Sequence, residues 1–138
     1  MFNPTHKTEN GGMAMNVHNN ISSMSVDCDI ITNSKWELIE KVRYVDEKRN
    51  QMFIRVDFEG DGYTKIDTYG LRNINDYDAV IISDYNKGFI SEEVIKKICD
   101  SHKCVFLDTK KTLGDWCKNA LYIKINIYEL NKTRHTVS

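Results

Sequence analysis

YDAVIISDYNKGFISEEVIKKICDSHKCVFLDTKK, from Tyr77 to Lys111, decides the fold reading. Ala79 to Ile82 is a continuous apolar run between polar flanks, the pattern of a strand buried on both faces. A polar loop, Ser83 to Gly88, follows it. Ser91 is placed to cap a helix, with Glu92 and Glu93 in the first turn and Lys96 and Lys97 further along, matching the helix dipole. Ile90 is placed to staple onto Ile95, and Val94, Ile95, Ile98 and Cys99 form the apolar stripe. Cys104 to Leu107 reads as the next strand and ends at Asp108-Thr109-Lys110. Strand, helix and strand in this order make a βαβ unit, so the fold class is α/β with a parallel sheet.

Further along, a short helical or loop segment carries Trp116, and Leu121 to Ile125 reads as a third strand ending at Asn126. Helix restarts near Tyr128-Glu129. Parallel strands are joined almost always by right-handed crossovers, which places all three strand ends on one edge. Those ends are Ser83-Asp84, Asp108-Thr109-Lys110 and Lys124-Ile125-Asn126. In open α/β sheets small molecules bind beyond that edge.

Towards the N-terminus the pattern is looser. Met1 to Asn10 is polar and reads as extended, and Gly11-Gly12 opens a helix through Met24 with the stripe Met13, Val17, Ile21 and Met24. A glycine pair there permits close backbone approach and leaves free N–H groups at the helix start. Asp29 to Thr32 is a short apolar run. Glu40 to Glu47 and Gln51 to Phe58 read as a hairpin around Lys48-Arg49-Asn50, with Met52, Ile54, Val56 and Phe58 on one face and Phe53, Arg55 and Asp57 on the other. Arg43 and Arg55 are thereby candidates to present cations from a small sheet. Gly60-Asp61-Gly62 turns the chain into a further strand, Tyr63 to Thr68.

The chain of 138 residues, with a 41% hydrophobic and 28% charged composition, fits one soluble domain. Its net charge of −1 provides no long-range field for nucleic acid or an anionic membrane, so any phosphate recognition is local. No apolar run approaches the ~20 residues needed to span a bilayer. The first ten residues lack the apolar core of a signal peptide. The expectation is a cytoplasmic protein. Its four cysteines, Cys28, Cys99, Cys104 and Cys117, form no C-x-x-C pair and read as structural thiols of a reducing compartment.

GGMAMNVHNN at 11–20, the YDAVIISDYNKG block, DTKK at 108–111 and YIKINIYELNK at 122–132 together resemble the ribokinase-like (PfkB) carbohydrate kinases. Within them, the chain is most similar to the D-glycero-D-manno-heptose 7-phosphate kinases of ADP-heptose synthesis. The resemblance covers about Asn3 to Thr133. It implies a partial ribokinase-like sheet with helices, in a single incomplete domain carrying a small β lid at about 40–69. It assigns Gly11, Gly12 and Asn16 to the sugar, through the family's G-G-x-x-x-N-V. Arg43 and Arg55 fall on the lid strands, and Asp84, Asn86 and Lys87 on the S-D-Y-N-K-G strand end, as further substrate contacts. Lys110, Lys124, Asn126 and Glu129 fall on the cofactor side, the last two through N-x-x-E, with Glu129 supporting Mg²⁺ through water. ATP and Mg²⁺ are the implied cofactors, and ATP-dependent phosphoryl transfer to a heptose phosphate is the implied ancestral activity.

The family's C-terminal G-A-G-D does not occur in this sequence. That motif brings the aspartate base and an anion hole at a helix N-terminus. The family's first strand, with its sugar-binding aspartate, would precede Met1. The expectation is therefore a kinase truncated at both ends, or one part of a split one, with Asp84 the only strand-end candidate for the base. A catalytically silent sugar-phosphate-binding or dimerisation module is the alternative. For Asp84 and Asp108 the plain reading is that they cap the turns after their strands. A phosphoacceptor receiver domain, with Asp84 as acceptor and Lys124 as its lysine, ranks last because no acidic pair follows a first strand. A sheet cut on both sides leaves Tyr122, Ile123, Ile125 and Ile127 to be covered, so a homo-oligomer or a complementing chain is expected.

Overall fold

The computed structural model describes residues 4–9, 11–59 and 64–136. The chain divides into two compact units, Met1–Tyr63 and Thr64–Ser138.

The first unit contains α1 (Gly12–Ser22) and an antiparallel hairpin of β1 (Ile39–Asp46) and β2 (Gln51–Glu59). Helix α1 starts where the glycine pair predicts. Gly12 has φ +74°, a backbone that a side chain resists, and a Cβ on Gly11 would lie 2.7 Å from Met15. The expected apolar stripe is present but not buried: Met13 and Met24 are exposed, and the helix has no buried residue. The Asp29–Thr32 run forms no strand or helix. In the hairpin, Asp46 Oδ1 accepts the Lys48 N–H at 3.0 Å, and Asn50 takes φ +49°, closing the expected turn. The register shifts between Tyr44 and Val45: Ile54 faces Tyr44 while Met52 faces Val45, and Phe53 is the extra residue. The strict two-face alternation expected from Met52 to Phe58 therefore holds only beyond Phe53. Two strands cannot bury their own apolar side chains. Tyr44, Ile54, Val56 and Phe58 all remain exposed.

The second unit is the βαβ unit of the opening stretch, extended by one strand. Strands β3 (Val80–Asp84), β4 (Val105–Thr109) and β5 (Tyr122–Lys124) form a three-stranded parallel sheet in the order β3-β4-β5. Helix α2 (Glu92–Ser101) crosses from β3 to β4, and α3 (Ile127–Thr136) follows β5. Ser91 caps α2 as its sequence suggests, its Oγ accepting the Val94 N–H at 3.4 Å. Ile95, Ile98 and Cys99 on α2 pack with Ile82, Ile90, Val105, Leu107 and Cys117 into the core, and Val94 lies half-buried against it. Each fully buried aliphatic side chain contributes roughly 1.5–3 kcal/mol.

Two expectations fail here. The apolar run of β3 is not buried on both faces: Ile82 is 6% exposed, whereas its neighbour Ile81 is 51% exposed. The helix covers one face of the sheet, and the other carries an in-register row of Ile81, Phe106 and Tyr122. The strand read over Tyr63 to Thr68 does not form. Residues 64–67 have no regular structure, Thr68–Leu71 is a short 3₁₀ turn capped by Asp67, and Gly60 to Tyr63 lie outside the described residues. A hydrogen bond from the Ile66 N–H to the Phe89 carbonyl at 2.8 Å ties this segment to the loop before α2 instead.

Candidate functional site

The parallel register brings the three strand ends to one edge, as the crossover rule requires: Asp84 pairs with Thr109, and Asp108 with Lys124. At that edge lies a buried polar network. Asp84 Oδ1 accepts the Asn86 N–H at 2.9 Å, and Oδ2 accepts the Thr109 hydroxyl at 2.8 Å. Lys111 Nζ stands 3.1 Å from the same Oδ2 and donates to Asn86 Oδ1 at 2.9 Å. The Lys111 N–H goes to Thr109 Oγ1 at 3.0 Å, and the Lys110 N–H to the Asp84 carbonyl at 3.1 Å. The ion-paired side chains are nearly dry, 9% exposed for Lys111 and 3% for Asp84.

Asp84 thus meets a main-chain N–H, a hydroxyl and an ammonium. Both of its oxygens are therefore already engaged in holding this edge together. The turn-capping reading holds for it, since its bond to the Asn86 N–H closes the turn in which Asn86 takes φ +55°.

Around this network the edge is exposed. Lys110 Nζ lies 4.9 Å over the Tyr85 ring. Lys124 pairs with Asp108 at 2.7 Å, and that bond raises the lysine's pKa from its ordinary value, with smaller contributions from Tyr85 and Glu129. Lys124 therefore serves Asp108, which leaves the receiver-domain reading without its lysine at Asp84. Lys87 is exposed on the loop beside Asn86.

The N-x-x-E motif has a local explanation. Asn126 Oδ1 accepts the Glu129 N–H at 2.9 Å, while Glu129 Oε2 accepts the Asn126 N–H at 2.8 Å. This reciprocal pair is a capping box for α3. Glu129 is committed to it. Asp84 is held by Lys111 and Asp108 by Lys124, and the described residues contain no cluster of three acidic, His or Cys groups suited to a metal. The donor set does not fit directly bound Mg²⁺.

The remaining expected residues belong to the first unit. Gly11 and Gly12 stand at the start of α1, with Asn16 exposed one turn on. Arg43 and Arg55 face each other across the hairpin. Two like charges opposed in this way repel. Asp57 relieves them, accepting both Arg55 Nε at 2.7 Å and an Arg55 terminal nitrogen at 2.6 Å. These bonds lower the Asp57 pKa, with smaller pulls from Lys41 and Arg43. In the second unit, open depressions of about 420 and 500 Å³ lie away from the strand-end edge, one along 75–78 and 101–103 and one between 68–74 and α2.

Thr109 and Lys111 are the site residues that motif reading missed. Compared with known proteins, the chain matches no family model, no curated protein and no solved structure. Its functional reading stands on its own residues. No helix among the described residues is long and apolar enough to cross a membrane.

Proposed function

We propose that this chain is built on the plan of a ribokinase-like sugar kinase and binds a heptose phosphate at the strand-end edge. Its ancestral activity in this reading is ATP-dependent phosphoryl transfer. The observation that carries the proposal is the edge itself: three parallel strands end together, with the S-D-Y-N-K-G loop on the first and N-x-x-E after the third. Lys87, Lys110 and Lys124 are the cations there. Lys110 would face the phosphates of ATP, beside Lys124, which is held by Asp108. Phosphoryl transfer depends on positioning and charge neutralisation, and these residues are of the kind that neutralise an anionic ligand.

A second reading is favoured by one contact. Because Lys111 holds Asp84, the only strand-end candidate for a base is not available to deprotonate a sugar hydroxyl. That supports a binding or dimerisation module without turnover of its own, or one requiring a complementing chain. The acids at this edge, Asp84, Asp108 and Glu129, already have partners and leave none to hold Mg²⁺ directly.

Calorimetric titration with D-glycero-D-manno-heptose 7-phosphate, with and without ATP and Mg²⁺, tests both. Saturable sugar-phosphate binding that ATP leaves unchanged supports the module. Turnover supports a working kinase and requires a base other than Asp84. Absence of sugar-phosphate binding removes the proposal.

A further inference from the structure

Lys111, the last residue of DTKK, has no assigned role in that motif, yet it is the residue around which the strand-end edge is organised. Its ammonium joins two side chains that begin one loop, Asp84 and Asn86, while its own N–H joins Thr109 at the end of the neighbouring strand. The Lys110 N–H adds a main-chain bond back to the Asp84 carbonyl. The loop so tied is short and turns through two left-handed residues, Asn86 at φ +55° and Gly88 at φ +87°. Asparagine adopts that conformation more readily than other side chains, and here the bonds from its N–H to Asp84 and from Lys111 to its side-chain oxygen hold it there. Tyr85 and Lys87, on either side of Asn86, are exposed.

We propose that Lys111 is a positioning residue: it locks the Asp84–Gly88 loop to the end of β4 and so sets Tyr85 and Lys87 before any ligand arrives. The inference rests on the reading of this edge as an anionic sugar-phosphate site. A preset loop avoids the ordering cost that a mobile one imposes on binding. Lys111 acts through Asp84 and Asn86, which take up its charge within the network.

The test compares the wild type with Lys111→Met, which keeps most of the aliphatic stem and removes the ammonium. Amide hydrogen exchange is read at Asn86 and Lys110, with Ile95 in α2 as internal reference. Hydrogen bonds to charged groups are strong enough that protection at Asn86 and Lys110, relative to Ile95, falls about tenfold or more. Affinity for heptose 7-phosphate falls about tenfold with it, under conditions where both proteins are folded by circular dichroism. Asn86→Gly keeps the left-handed turn but removes the amide oxygen, and it loosens the Lys110 amide to a smaller degree should Lys111→Met not fold. An unchanged protection ratio in these variants overturns the lock. If the wild type does not bind the sugar phosphate, the functional reading fails, and the exchange ratio alone still decides whether Lys111 sets the loop.

Discussion

Ile81 and Ile82 are neighbours on β3 with the same side chain, yet one is 51% exposed and the other 6%. Substituting each by alanine deletes the same atoms and changes strand propensity by a similar amount, so the difference between the two isolates burial. Ile82 lies in the core with Ile95, Ile98 and Leu107, where the neighbours close only partly around a deletion. Ile82→Ala is expected to cost about 2–5 kcal/mol. At Ile81 roughly half the side chain is already in water and the space left opens to solvent, so only part of the transfer energy is lost, about 0.5–1 kcal/mol. Urea melts followed by circular dichroism at 25 °C give both numbers, provided the slopes match that of the wild type. In a unit of this size each kcal/mol moves the thermal midpoint by about 4–8 °C, so the two variants separate clearly. If Ile82→Ala leaves too little folded protein, Ile82→Val, at about 0.5–1.5 kcal/mol, is compared with a near-silent Ile81→Val. Equal costs at the two positions would refute the one-sided sheet. They would mean that the row of Ile81, Phe106 and Tyr122 is covered in solution, as parallel sheets usually are.

Ser91→Ala removes the acceptor for the Val94 N–H and should cost about 1 kcal/mol, read by the same urea melts. Lys96, and then Asn119, hold the Asp100 pKa below its ordinary value. A depressed carboxylate contributes stability above its unfolded pKa and loses it as pH falls through the lower folded value. An NMR titration should therefore place Asp100 below an unperturbed aspartate, and Lys96→Met should move it upward. Burial raises the Cys99 thiol, so Cys99 should react with a thiol reagent much more slowly than half-buried Cys28 in the native protein and at an ordinary rate in urea.

The second unit was legible where local and global preferences agree. Ser91, the two glutamates after it and the Ile95-Ile98-Cys99 stripe all specify the same helix, and the structure builds it. The hairpin was legible for the same reason, with Asp46 and Asn50 at the turn. What failed was anything requiring knowledge of the second side of an element. The apolar runs in β3 and α1 reveal that a surface prefers burial, not whether anything buries it. Met13 is exposed although it lies on a stripe at helical spacing, and Ile81 is exposed although its run reads as buried on both faces. Phe53 shows a subtler limit, because a bulge costs one residue of register and leaves no mark in the alternation.

Lys111 was missed for a different reason, and the signal that could have found it was present. Along β4, Val105, Leu107 and Thr109 are buried while Phe106 is exposed, the period-two alternation of a half-covered strand. Carried two residues further, the same period places Lys111 inside and Lys110 outside, as observed. Motif reading placed the cation at Lys110, which follows Asp108-Thr109 at the strand end. Strand geometry places the buried one at Lys111, opposite the only buried carboxylate among the described residues, Asp84. A lysine ammonium is not buried without an anion to receive it, nor Asp84 without a cation. Their pairing ties the loop after β3 to the end of β4; under the proposed reading of this edge, any chemistry there takes its base from another group.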